Sequence, residues 1–376
     1  MTMKTCKALL SGSLMSLFLN AQAATLLVGS YTDGSSQGLY SYHFDTQRGQ
    51  IDAKPLQVVR SVNPSWLVLS ADQRLLFAVN ETPQGQASSF SLSSKGQIKP
   101  LNHVPSQGDE PTHASLSHDQ RYLFVANYAV APNPGGSLSV IPVAKDGKLK
   151  PVVQQLRHAP SKVNPERQAG AHVHSLVQSP DGRHLYASDL GADKVFIYRY
   201  DGASTEQPLS PAIPASVALP PGSGPRHLLF DAKGRHAYLT LEMSGEVVVF
   251  DVQEAALVER QRMPLTESQQ SEAKAGGGLH LAADGRFLYV SNRGMANEIV
   301  VYGVGDDGRL NLLQRRSVDG DHPREFALDP TGKFLLVANQ KSNQIVVIRR
   351  DPRSGRLGET VQKFDQGAPS DLKFVE

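Results

Sequence analysis

Five residues, at matching places in a repeated strand–turn–strand unit, carry the chemistry this sequence can offer: His174, Arg226, Glu242, Arg293 and Arg324. Glu81 holds the place of Glu242 in an earlier copy. These types suffice to hydrolyse an activated ester. A neutral imidazole takes a proton from water, guanidinium groups stabilise a developing oxyanion or hold an anionic group, and a carboxylate orients the imidazole or shuttles a proton. Ion pairs tying a ring of repeats together would use the same residues, and residue types alone do not separate the two readings.

The unit that must position them is seen in GPRHLLFDAKGRHAYLTLE, Gly224 to Glu242. Pro225-Arg226-His227 enters an apolar strand, Asp231 to Arg235 has turn composition, and Ala237-Tyr238-Leu239 starts a second strand ending at Glu242. The same pattern recurs from Asn63, Glu110, Ala171, Gly276 and His322, and its aligned apolar positions Phe77, Phe124, Tyr186, Tyr238, Tyr289 and Leu336 recur about every 50 residues. Between copies lie further strand-like runs such as Lys194–Tyr198, Glu246–Phe250, Ile299–Tyr302 and Gln344–Ile348. Four strands per unit is the count of a propeller blade.

Ala368–Phe374 matches the first half of the unit and Leu27–Tyr31 the second, so pairing the two chain ends completes a seventh blade and leaves no open edge. The expected fold is all-β: a seven-bladed β-propeller of four-stranded blades, one domain over residues 24–376. Equivalent positions then form rings around the axis. One ring reads Ser65, Thr112, His174, Arg226, Gly277, Arg324 and Ser370; the other reads Tyr31, Glu81, Tyr128, Leu190, Glu242, Arg293 and Gln340. The insertion Asn133–Ser137 and the polar stretches Ser161–Ala171 and Glu254–Gly278 are read as loops, the latter two crossing a face of the ring.

The chain has 376 residues and 40% hydrophobic content, as expected of a soluble globular protein. Lys4 and Lys7 precede an apolar run from Ala8 to Leu19, and Ala21-Gln22-Ala23 supplies a cleavage site, so Met1–Ala23 reads as a secretory signal peptide. The mature product is then periplasmic or secreted, with no membrane association. Its loss of Lys4 and Lys7 takes the formal net charge from +2 to zero, which points away from nucleic acid. Cys6 leaves with the signal, so no disulfide is expected. His172 and His174 lie two residues apart without a third ligand nearby, so no metal and no cofactor is expected. Gly305–Gly308 reads as a hairpin turn. A closed ring needs no partner, and a monomer is expected.

The runs Val28-Gly29-Ser30-Tyr31-Thr32, His172-Val173-His174-Ser175, Gly222–His227, Asp284–Arg293 and Asp329–Lys333 together resemble the seven-bladed lactonase family. That family includes the propeller-type 6-phosphogluconolactonases and the fungal carboxy-cis,cis-muconate cyclases. The resemblance implies an active site of one His, two Arg and one Glu, which by motif fall on His174, Arg226, Arg293 and Glu242. His172, Arg324, Glu81 and His227 are the further candidates for contact with substrate. Two positions depart from the family pattern: Leu241 precedes Glu242 where Asn is common, and Ala171 stands in place of Pro before the paired histidines. The expected activity is hydrolysis of a sugar lactone, 6-phosphogluconolactonase-like, with a small-molecule lactone as partner. A non-catalytic propeller binding an anionic ligand or protein, and a muconate-type lactonising enzyme, remain open as alternatives.

Overall fold

The computed structural model describes residues 23–129 and 135–375. The segment Met1–Ala23, with Cys6, lies outside it except for Ala23, and the Asn133–Ser137 insertion lies partly outside. No helix among the described residues is long and apolar enough to cross a membrane.

Each repeat folds as its two-residue alternation and turn composition predict. Strand β17 (Pro225–Phe230) pairs antiparallel with β18 (His236–Leu241), Leu229 opposite Tyr238. In the turn between them Asp231 Oδ1 accepts from the Arg235 amide at 2.7 Å, and Gly234 adopts φ +65. That left-handed position falls on glycine in four copies but on Gln73 and Gln120, at φ 55 and 59, in two others. The turn therefore imposes the conformation and the residue adapts to it.

Strands β19 (Glu246–Gln253) and β20 (Ala256–Pro264) complete the sheet. The stretch Glu254–Gly278 is thus not a crossing loop throughout, as its composition suggests. Its first half is the outer strand β20, in which Leu257 is buried while charged neighbours face water, so apolar content there is too sparse to reveal a strand. A single 3-10 turn, Ser271–Ala273, lies in the true crossing.

Seven sheets of this kind form the ring. Their innermost strands are β5 (Pro64–Leu69), β9 (Pro111–Leu116), β13 (Val173–Gln178), β17, β21 (Gly276–Leu281), β25 (Pro323–Leu328) and β29 (Pro369–Val375). Each touches the next around the axis, and β29 touches β5. The closing blade joins both chain ends. β29 pairs with β1 (Ala23–Ser30), setting Leu26 opposite Phe374, and β1 pairs with β2 (Gly38–Asp45). Its outer edge is divided between β3 (Gln50–Ile51) and β4 (Gln57–Arg60), both on β2.

The core lies between blades. Alternation sends Leu239 of β18 into one inter-blade cluster with Tyr186, Val248 and Phe250, and Tyr238 into the next with Val290, Val300 and Tyr302. Second strands are consequently buried on both faces, which is why Phe287–Asn292 and Phe334–Asn339 are almost continuously apolar. Each fully buried large side chain there contributes about 1.5–3 kcal/mol. The sum holds the ring rigid enough to present a polar axis.

Candidate active site

The starts of the inner strands and the residues that follow the second strands carry most of the site. Near the start of β5, β13, β17, β21 and β25 the pairing register shifts by a bulge. A bulge lets successive residues project to one side of a strand. The second residues of β13, β17 and β25, His174, Arg226 and Arg324, meet the carboxylates of the site, while the third residues of β5, β9, β17 and β25, Trp66, His113, His227 and Glu325, line a cavity.

At that mouth four groups converge on Glu242. Its backbone amide donates to Gly224 O at 2.7 Å, which sets the carboxylate beside the start of β17. Arg226 Nε donates to Glu242 Oε2 at 3.0 Å, and Arg293 Nη2 lies 2.7 Å from the same oxygen. Arg167 Nη2 donates to Oε1 at 2.6 Å. His174 Nε2 stands 4.0 Å from Oε2, too far for a hydrogen bond, and its Nδ1 is buried without a partner. Arg226, 1% exposed, is the largest fully buried side chain. Three guanidinium groups thus surround one carboxylate.

Burial works against charge on Glu242, but Arg293 and Arg226 outweigh it and hold the carboxyl well below the usual carboxylate range. Burial, and then the Arg226 charge, press His174 well below the ordinary imidazole value. Burial and Arg293 likewise lower Arg226. At neutral pH the site therefore combines a neutral imidazole, an ionised carboxylate and surplus positive charge. Such a set can accept a proton from water and receive an oxyanion.

The family model described as "Lactonase, 7-bladed beta-propeller" matches residues 25–374. The chain belongs to this lactonase family. Among solved structures, the periplasmic gluconolactonase of Pseudomonas aeruginosa is 50% identical with a TM-score of 0.91, over 94% of this chain and 99% of that one. The 6-phosphogluconolactonase of Bacillus subtilis is 32% identical over 93% of this chain and 97% of its own length. That of Formosa agariphila is also 32% identical, over 93% and 99%. Membership makes this protein a lactone hydrolase.

The other candidates sit elsewhere in the lactonase mouth. Arg324 Nη2 lies 3.2 Å from Glu81 Oε2, and Tyr31 donates its hydroxyl to the same oxygen at 2.7 Å, with the Arg324 guanidinium 5.0 Å above the Tyr31 ring. This second cluster is balanced in charge. His172 Nδ1 donates to the Tyr128 carbonyl at 2.7 Å and its ring stacks on Tyr128 at 4.6 Å. Although two residues apart, the histidines are divided by the bulge, and it is His174 that faces Glu242.

His227 lies a layer deeper. Its ring is 5.2 Å from His174 and packs against Trp66 and His113, with Nε2 3.4 Å from Arg226 Nη1 and Nδ1 3.6 Å from Glu325 Oε2. Glu325 Oε1 meets His280 Nε2 at 2.8 Å. A Cβ at position 278 would fall against this carboxylate, which would have to shift to admit it. Trp66, His113, His227, His280 and Glu325 line a cavity of about 320 Å³ beneath the site.

Four residues escaped the sequence reading. Tyr31 and Tyr128 stand in the ring positions already aligned but carry no charge to mark them. Arg167 lies in an irregular loop with no repeat to align it. Asp193 compensates for Leu241. In five other copies the residue at this place is Asn or Asp, and Asp189, for example, accepts from the His172 amide at 2.8 Å. Leu241 cannot accept, and Asp193 from the neighbouring blade instead takes the amides of Gly222 and Gly224 at 2.8 and 2.9 Å.

Proposed function

We propose that this lactonase hydrolyses a sugar lactone, an aldonolactone, with His174 as base, Arg226 and Arg293 as oxyanion holders and Glu242 as their counter-ion. The observation that carries the reading is the shared carboxylate: Glu242 holds Arg226 and Arg293 side by side, 4.0 Å from a neutral His174. His174 takes a proton from water as its oxygen bonds to the lactone carbonyl carbon. The carbonyl electron pair moves to the oxygen facing the guanidinium groups. Collapse breaks the ring C–O bond, the leaving oxygen receives the proton from His174, and an open-chain hydroxy acid results.

Two relatives act, by name, on 6-phosphogluconolactone and one on gluconolactone in the periplasm. The apolar start of this sequence and that last relative favour an exported enzyme on an unphosphorylated aldonolactone. The test uses protein recovered from the periplasm, expected to begin at Ala24, assayed on gluconolactone and 6-phosphogluconolactone. Exchange of His174 for Ala should lower kcat about 10²–10⁴-fold with the fold intact. Undiminished turnover in that variant would exclude the assigned base, and saturable binding without product in the wild type would make the chain a binding propeller.

A further inference from the structure

Arg167 differs from its two companions on Glu242. Arg226 and Arg293 have side chains 2% and 7% exposed, whereas that of Arg167 is 44% exposed. It also comes from outside the blades, on the Ser161–Ala171 loop that crosses the mouth. The loop is built to present it. Asn164 Oδ1 accepts from the amides of Glu166 and Arg167, both at 3.0 Å, and the fully buried Gln168 donates Nε2 to Leu190 O at 2.9 Å. Tyr128 OH receives Arg167 Nη2 at 3.2 Å.

The two oxygens of Glu242 are divided accordingly. Oε2 carries the buried arginines and Oε1 carries Arg167. If Arg167 departs, Glu242 keeps two charged partners and no buried charge is stranded, so the exchange is inexpensive. The departure also frees a carboxylate oxygen facing the mouth. Three cations around one anion leave the cluster short of negative charge, and an incoming anionic group relieves the repulsion. A guanidinium fork matches carboxylate and phosphate oxygens in pairs.

We propose that Arg167 is the specificity-determining residue that receives the ligand's oxyanion group, exchanging Glu242 Oε1 for a carboxylate or phosphate oxygen while Oε1 accepts a hydroxyl of the sugar chain. This rests on the lactonase reading above for the identity of the ligand. The carboxylate is the one that hydrolysis creates; the phosphate would be carried by the substrate from the start.

The test is calorimetric titration of the whole protein with gluconate and with 6-phosphogluconate, comparing wild type, Arg167→Ala and Arg167→Lys. The unfolding midpoint is recorded for each. Loss of one charge-assisted pair should weaken binding about tenfold or more in the Ala variant, with Lys restoring part of it. Weakening of both anions assigns Arg167 to the product carboxylate, and weakening of 6-phosphogluconate alone assigns it to phosphate. Equal affinity in wild type and Arg167→Ala, or no binding of either anion by the wild type, overturns the proposal. Arg167-dependent binding in a protein that turns over no lactone would sink the hydrolase reading and leave this one standing.

Discussion

Glu242 shows why the site is an ionic cluster and not a set of independent side chains. Arg226 is buried, and stripping its carboxylate would leave an uncompensated charge at a cost of about 3–5 kcal/mol. The carboxylate is therefore tied up in ion pairing and is poorly placed to act as a base, which supports the proposed assignment of proton transfer to His174. Burial and Arg226 keep that imidazole well below the value of 6.5 typical of exposed histidine. A depressed histidine stays in its free-base form until the pH reaches its lowered value. Activity governed by His174 should accordingly persist as pH falls through 6.5 and fade only below it. A kcat/KM profile from about pH 4 to about pH 8 checks this, and a half-loss centred at the ordinary value would contradict it. Residue identities of this ring were legible because charged side chains interrupt otherwise matched apolar copies. The pairing of Arg324 with Glu81, and the commitment of His172 to Tyr128, were not, since both depend on distances across blades.

The strands were legible as elements wherever both faces are buried. Second strands such as Phe334–Asn339 declare themselves by composition, and the turns by Asp and Gly. Outer strands such as β20 are half exposed and chemically mixed, so they resemble loops. The supports between elements are harder still to see. Asp193 substitutes for the missing acceptor at Leu241 from a neighbouring blade, holding the Gly222–Gly224 approach to Arg226. Exchange of Asp193 for Ala should leave two amides unpaired, cost about 1–3 kcal/mol, and lower kcat through misplacement of Arg226. Denaturant unfolding and steady-state kinetics on the same preparation measure both. Full stability with full activity would show that the loop holds its shape without this brace.

At the scale of the molecule, closure joins residues from opposite ends of the chain. β29 supplies the inner strand of the seventh blade, and Asp371 Oδ2 accepts from the Leu67 amide of the next blade at 2.7 Å. Deleting residues 369–376 should expose both β1 and β5, removing cooperative unfolding and not merely lowering its midpoint. Circular dichroism through a thermal ramp reads the outcome, and an intact sharp transition would show that the ring does not depend on its closing strand.

The sequence by itself determined the blade repeat, the count of seven and the two rings of residues, because alternation, turn chemistry and self-similarity are local or periodic properties. Tertiary structure decided which ring members meet. Bulges at the inner strands separate His172 from His174, blade order sets Arg324 on Glu81, and an irregular loop brings Arg167 onto Glu242. Those outcomes depend on angles and distances between elements far apart in the chain, which no periodicity encodes.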